Sequence, residues 1–433
     1  MGLASMLTLM RNLIALLLST TTLLAQDHSA ELQKQINEAK GNLTLKAGQY
    51  RLEKSLVFDL AKLGASAVRC DGPVTITMAG PGPALRFIGT HNGTASPKTF
   101  KPATWAERMP LVDGLEILGD HPEADGIEFT RTMQAIVTRV TIRKARHGIH
   151  LTERNRNVII SDCHLYQNSG VGIYLDQVNL HQINVANCHL SYNAMGGIVV
   201  RDSELRNLQV NNCDLEGNMP LDPIPTRAAN IWIDLSAHKD RASVAEVAIT
   251  GCTIQHSASY GKEGKIAPGG ANIRIIGRPK YPVDNITIGN NVMSDVTVSV
   301  DLDYTKDVTL TGNTFFTSMP QDLVVRRSQR VVAIGNVFNP RGKWAIGGIV
   351  FKECEGLLLA NSTIHAFRDQ TAAILLENCK NSRLSNLILT DCDRGILLKN
   401  STGCAVLDCS VQIPNKGGKP ITMDGGSNNK IRN

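Results

Sequence analysis

Cys163, Cys188 and Cys213 recur at intervals of 25 residues, each inside the same phrase. The phrase reads Val158-Ile159-Ile160-Ser161-Asp162-Cys163-His164-Leu165, then Ile183-Asn184-Val185-Ala186-Asn187-Cys188-His189-Leu190, then Leu208-Gln209-Val210-Asn211-Asn212-Cys213-Asp214-Leu215. Each copy alternates apolar and polar residues at period two, as a half-buried strand does. Self-similarity at a fixed period of this size means stacked supersecondary units instead of a closed globule. Stacking turns linear sequence into columns of side chains, one coil above the next.

A second short strand follows each phrase, usually opened by glycine: Gly126-Ile127-Glu128-Phe129, Gly148-Ile149-His150-Leu151, Gly172-Ile173-Tyr174-Leu175 and Gly197-Ile198-Val199-Val200. Later versions begin at Asn230, Asn272, Gly348 and Gly395. No stretch after residue 110 keeps a helical period, which excludes βαβ and helical repeats. The cysteine column continues as Cys252, Asn291, Asn313, Asn336, Ser362, Cys392 and Cys409, with Leu115 and Val140 in the same place upstream. After Cys213 the intervals are 39, 39, 22, 23, 26, 30 and 17 residues. A column shared by Cys, Asn and Ser reads as an inward turn position, where small polar side chains stack along the axis.

On these residues the chain resembles the right-handed parallel β-helix proteins of the pectate-lyase-like superfamily over most of residues 43–425. The resemblance implies an all-β solenoid of three-strand coils, with an asparagine ladder at the tight turn between the second and third strands. It also implies that a substrate lies along the outer face of the strand after the most variable turn, here the glycine-led strand. Twelve anchored coils at the ordinary strand spacing would span on the order of 60 Å.

Three segments are expected. Residues 1–25 carry Met10-Arg11 followed by a short apolar run, the pattern of a secretory signal peptide with either Met1 or Met10 as the start. That predicts a secreted or periplasmic protein with no membrane span in the mature chain. Residues 26–42 read as an N-terminal capping helix with Leu32, Ile36 and Ala39 on one face, covering strand edges that an open coil would expose. Residues 43–433 form the β-helix, taken as a monomer, with long loops at 90–110, 217–229 and 255–271. The last two supply the 14 extra residues of each 39-residue interval, and loops of that length in a compact repeat are functional or disordered.

Ten cysteines in an exported chain suggest disulfides. Column geometry argues otherwise for Cys163, Cys188, Cys213 and Cys252. Parallel side chains about one strand spacing apart sit slightly beyond disulfide reach and do not converge on a metal. Cys354 and Cys379 form a second small column, while Cys70, Cys392, Cys404 and Cys409 leave room for one bridge. The net charge of +6 fits an acidic polymer, but the basic residues are scattered and aromatic content is 4%, which argues against nucleic acid.

Outward positions of the glycine-led strand read, coil by coil, Glu128 and Thr130, His150 and Thr152, Tyr174 and Asp176, Val199 and Arg201, Trp232 and Asp234, Arg274 and Ile276. Asp301, Arg326, Lys352, Glu377 and Lys399 follow. His150 and Tyr174 fall on successive coils, roughly 5 Å apart at the backbone, so the pair could move the two protons of a β-elimination. Arg201 or Arg274 would neutralise a uronate carboxylate, and Trp232 could stack on a sugar face. Glu128, together with His256, Tyr260 and Lys262 from the loops, would complete the binding surface, with Asp222, Arg227 and Lys265 nearby. Asp176 and Asp234, roughly 9–10 Å apart at two coil rises, also fit the spacing of an inverting hydrolase. An Asp176–Arg201–Asp234 ion-pair ladder would explain all three without catalysis. Calcium is the one cofactor considered, at Asp295, Asp301 and Asp303, although no calcium-loop motif is present.

Three functions remain open at this stage. One is a polysaccharide lyase acting by elimination, another a glycoside hydrolase using Asp176 and Asp234. The third is a non-catalytic surface or carbohydrate-binding β-helix. The expected partner is an extended polysaccharide.

Overall fold

The computed structural model describes residues 26–93, 98, 101–220, 222, 224–237, 242–257, 267–340, 346–368, 370–414 and 420–432. The signal-peptide segment, Tyr260, Lys262 and Lys265 lie outside them. The described chain is a right-handed parallel β-helix whose strands pair in parallel, coil upon coil, in three columns. Fourteen strands stack in the glycine-led column, from Leu56–Asp59 to Ile421–Asp424. Between the coils lies one continuous apolar core of Leu, Ile, Val and Phe side chains.

The register matches the columns read from the sequence. Glu128 pairs with His150, His150 with Tyr174, Tyr174 with Val199, Val199 with Trp232 and Trp232 with Arg274. The two 39-residue intervals leave this pairing unbroken, but the expectation that all their extra residues precede the glycine-led strand is corrected. Part of each excess falls there, and the rest follows that strand, between Asp234 and Ser243 and between Ile276 and Val283. Tight turns precede the cysteine column. Asp162, Asn187, Asn212, Asn290, Asn361, Asn386 and Asp408 hold φ between 50° and 57° there. Asn and Asp tolerate this left-handed region better than other side chains, which explains why they recur one residue before the ladder.

The ladder itself is reduced. All ten cysteines are free, and Cys163, Cys188, Cys213 and Cys252 direct their thiols to backbone carbonyls. Asn291, Asn313 and Asn336 continue the column amide to amide at 3.0–3.1 Å. One expected member is displaced. Thr363 pairs with Ile388 and Ile388 with Ser410, so Leu387, not Cys392, lies between Ser362 and Cys409. The uneven intervals of 30 and 17 were the sign, since Leu387 restores 25 and 22.

A second interior ladder runs where the third strand turns into the glycine-led strand. Asn168 donates to Asn193 at 2.8 Å, Asn193 to Asn218 at 2.7 Å, Asn218 to Asn230 at 2.8 Å and Asn230 to Asn272 at 2.9 Å. Asn272 then donates to the Ser299 hydroxyl, which pairs with Ser318 at 2.7 Å. Asn230, Asn272, Ser299 and Asp322 take the place that glycine holds in earlier coils. At Gly197 an added Cβ would fall 3.0 Å from the Asn218 amide, so glycine is needed where the turn residue fills the space. Each buried amide bond contributes about 1 kcal/mol, and an unmade one would cost more.

At the N-terminal end, a helix over Ser29–Glu38 buries Leu32 and Ile36; Ala39 is exposed at its C-cap. Gln33 works as a strand substitute. Its carboxamide accepts from the Val57 N–H at 2.7 Å and donates to the Val57 carbonyl at 2.9 Å, pairing an edge that would otherwise be open. The segment near residues 90–110 also folds onto the coils: buried Glu107 accepts from the Thr90 N–H at 2.7 Å and from its hydroxyl at 2.6 Å.

Candidate functional site

Strand alternation points His150 and Tyr174 outward, and the one-coil offset stacks their rings. The centroids are 5.1 Å apart with an interplanar angle of 8°. Carboxylates flank the imidazole. Nε2 is 3.7 Å from Asp176 and Nδ1 4.0 Å from Glu128, whose other oxygen meets Arg86 at 2.8 Å. His150 Nε2 is buried and lacks a hydrogen-bond partner among the described residues.

His147, not singled out in the sequence, completes a triangle of rings at 5.0 Å from Tyr174 and 5.5 Å from His150. Its Nδ1 accepts the Val171 N–H, which places the proton of the neutral ring on Nε2. Burial, first among its causes, pushes its pKa down to about 4. Below it, the buried Asp125 carboxylate takes both arms of Arg146 and the His147 N–H. Asp125, His147 and Val171 are a further outward column, one residue before the glycine. The paired histidines on either side of Gly148 were the available signal.

Environment separates the titratable roles. Burial, and after it the charge of Asp176, raises Tyr174 to about 12, so the phenol keeps its proton at neutral pH. Asp176 lies below the usual carboxylate range, chiefly through His150 and further through the Tyr174 hydroxyl, against the effect of burial. One side of Tyr174 packs on an apolar patch of Val171, Val199, Ala229, Trp232 and Ala271.

Several expected roles are corrected by what these side chains touch. Trp232 is only 8% exposed, and the Arg201 guanidinium covers its ring at 4.6 Å, so it supports an arginine and offers no platform to a sugar. Its indole N–H is buried without a partner among the described residues. The Asp176–Arg201–Asp234 ladder does not form. Asp234 is buried, accepts the Ser236 N–H at 2.8 Å and faces Arg227 at 3.5 Å. That leaves Arg201 without a carboxylate partner among the described residues, beside Tyr174. Asp234 is therefore poorly placed to share a water with Asp176.

Arg274, expected to bind substrate, is buried and fully engaged. It meets Asp301 at 2.9 Å and donates to the Arg227 and Gly269 carbonyls, tying together the bases of both long loops. His256 occupies a turn at φ 59° and faces Asp295 at 3.4 Å, away from the strand face. Asp222 is exposed in the first long loop. The calcium expectation fails on charge. Asp301 is held by Arg274 and Arg326, Asp303 by Arg326 and Arg327, and Asp295 by His256 and the Ser294 hydroxyl.

Comparison with known proteins gives the fold wide company. The family model described as "Right handed beta helix region" matches residues 118–254, and one described as "Periplasmic copper-binding protein (NosD)" matches residues 245–433. None of the curated proteins compared is a match. Tailspike protein 3 of bacteriophage CBA120 is similar at TM-score 0.54 and 13% identity, over 95% of this chain and 59% of the tailspike. The chain thus spans little more than half of that protein. A mutant tailspike of E. coli bacteriophage HK620, in complex with a pentasaccharide, gives 0.53 and 11%, over 94% of this chain and 77% of the other. The mannuronan C-5 epimerase A-module of Azotobacter vinelandii gives 0.49 and 16%, over 92% and 96%.

Copper calls for soft Cys, Met and His ligands that converge. Within residues 245–433, Cys354 and Cys379 are buried and turned to backbone carbonyls. Among the described residues no group of three or more His, Cys, Asp or Glu is arranged to hold a metal ion. The described residues do not fit a copper centre. No helix among the described residues is long and apolar enough to cross a membrane.

Proposed function

We propose that this chain, a right-handed parallel β-helix protein of the pectate-lyase-like kind, binds an extended acidic polysaccharide along its glycine-led face and cleaves it by β-elimination. One observation carries the reading: the His150 and Tyr174 rings are stacked beside Arg201, a cation without a carboxylate partner among the described residues. Elimination needs a base, an acid and a positive charge near a uronate carboxylate, and these three residues supply them within two coils.

In this scheme the His150 imidazole takes the proton from sugar C5 through its other nitrogen, Nδ1, since Nε2 is buried against Asp176. The C–H electron pair forms the C4=C5 double bond, and the C4–O bond to the leaving sugar breaks. Tyr174, still protonated at neutral pH, gives its proton to that oxygen and recovers one from solvent or from the imidazolium. Arg201 stabilises the charge that spreads onto the carboxylate as C5 loses its proton. Trp232 holds Arg201 in place from beneath. Glu128 and Asp176 orient the imidazole from either side.

The shared fold with a tailspike seen holding a pentasaccharide supports an oligosaccharide ligand. The signal-like residues 1–25 and the match to a family described as periplasmic support export. Incubation of the mature protein with acidic and neutral polysaccharides tests the function. Products absorbing in the ultraviolet are expected from uronate polymers. Reducing ends without that absorbance would instead indicate hydrolysis, and binding without products a non-catalytic protein.

A further inference from the structure

Beyond the His150–Tyr174 cluster, a cleft of about 500 Å³ opens beside the long loops, lined by five arginines and two aspartates. Arg274, Asp301 and Asp303 form its floor. The bases of the two loops, at Thr226, Arg227 and Gly269, make one wall. The other wall is a small turn closed by reciprocal backbone bonds between Arg278 and Tyr281, both 3.0 Å, together with Tyr304. Buried Arg274 fixes the first wall by holding the Arg227 and Gly269 carbonyls.

Charge decides what such a cleft accepts. Both floor carboxylates are already saturated by arginine, Asp301 by Arg274 and Arg326, Asp303 by Arg326 and Arg327. Arg227 stands at the rim with its side chain 63% exposed and its single carboxylate, Asp234, at 3.5 Å, a loose pairing. Arg326 and Arg327 keep 32% and 41% of their side chains exposed. Among the described lining residues arginines therefore outnumber acids, and Arg227, Arg326 and Arg327 keep exposed surface at the cleft. A guanidinium offers planar paired donors that match a carboxylate.

We propose that this cleft is a distinct anion subsite, taking the carboxylate of a uronate residue in the same polysaccharide chain. The proposal rests on the acidic-polysaccharide reading above, and it adds a second anchoring point on the groove. From Tyr174 the register steps through Val199 and Trp232 to Arg274, three coil rises, or roughly 15 Å. An oligosaccharide must be several sugars long to touch both places. The cleft then sets a minimum length and a preference for acidic over neutral chains.

Isothermal titration of the full mature chain with short and long oligouronates, and with neutral oligosaccharides of equal length, tests this. Arg227→Glu is the informative variant, because Arg227 is exposed and its backbone role at Arg274 is kept; Arg227→Lys is the conservative control. Long oligouronates are expected to bind Arg227→Glu at least tenfold more weakly, Arg227→Lys to recover part of the loss, and short ones to bind all three proteins alike. Equal affinity of wild type and Arg227→Glu for long oligouronates, with unchanged thermal melting, would overturn the subsite. So would equal binding of neutral and acidic chains. An Arg227-dependent affinity in a protein that releases no unsaturated product upholds the cleft and removes the elimination chemistry. Unsaturated products with an Arg227-independent affinity do the reverse.

Discussion

The phenol of Tyr174 lies flat against the imidazole of His150, and the same phenol rests on the apolar patch that includes Trp232. Stacking sets the spacing of the two proton carriers by strand register, and the patch behind Tyr174 fixes its rotamer. The phenol's function can therefore be removed without disturbing the stack. Tyr174→Phe keeps the ring and is expected to lower elimination about 10²–10⁴-fold, with the melting temperature little changed. His150→Gln is expected to fall by a comparable factor. Release of ultraviolet-absorbing product measures both, and turnover near wild type in Tyr174→Phe would remove the phenol from the mechanism.

Trp232 gives a prediction about stability in which a large-to-smaller substitution in the interior costs little. Its indole N–H is buried and unpartnered among the described residues, so Trp232→Phe discards a polar group in need of a partner while keeping an aromatic face for Arg201. Denaturant unfolding should show Trp232→Phe within about 1 kcal/mol of wild type, on either side. Trp232→Ala should lose about 3–5 kcal/mol through the cavity it leaves.

Two buried groups oppose each other in pH. Asp322, fully buried, is raised from 3.8 to about 7, first by burial, which outweighs the lowering effect of the Ser318 hydroxyl and the Gly348 backbone. The folded state keeps its proton where the unfolded chain has released it, so this group makes stability fall as pH rises from about 4 to about 7. His147 stays neutral in the fold down to about 4, while the unfolded chain takes up a proton below 6.5. It makes stability fall as pH drops through the same window. Each contributes on the order of 3–4 kcal/mol, and these two slopes largely cancel. Burial also pushes His91 down to about 4, which adds a slope in the same sense as His147. Melting temperature should therefore rise with pH across this window for wild type. Asp322→Asn should steepen that rise, and His147→Gln should flatten it. A wild-type slope left unchanged by both substitutions would contradict these assignments.

Thiol accessibility checks the interior columns. Cys70 is the one cysteine that is only partly buried, and that burial with the nearby Asp113 charge raises it to about 11, so even this thiol should alkylate slowly in the native protein. The other nine should react only on unfolding. Mass spectrometry without reductant should find no disulfide.

Capping can be tested through Gln33. Gln33→Ala leaves the Val57 N–H and carbonyl unpaired at the end of the stack, at a cost of about 1–2 kcal/mol, and exposes a strand edge. Light scattering should report increased self-association before any loss of secondary structure. A variant as stable and monodisperse as wild type would show that the helix packing alone suffices.

The columns were legible because parallel pairing is a matter of counting. The outward list from Glu128 to Arg274 needed only alternation and a common turn. Partners were not legible, since a column says which way a side chain leaves the backbone and not what it meets. Arg274 and Asp234 point outward by register yet are buried, where Arg274 holds the Arg227 and Gly269 carbonyls at the loop bases and Asp234 faces Arg227. Cys392 misled by residue type, where Leu387 carried the true period. The second ladder was hidden in the exceptions: Asn230, Asn272, Ser299 and Asp322 stand where glycine opens earlier coils, and polar side chains at an inward position imply partners of their own.

The unbroken pairing across the two 39-residue coils makes the molecule's dimensions separable. Adding coils lengthens the face, and lengthening a turn raises a wall beside it, without either change shifting the rest. His150 and Tyr174 depend on the first variable alone, and the arginine cleft on the second. A descendant of this chain could exchange its loops for others, and with them its preferred ligand, while the stacked pair stays where strand register puts it.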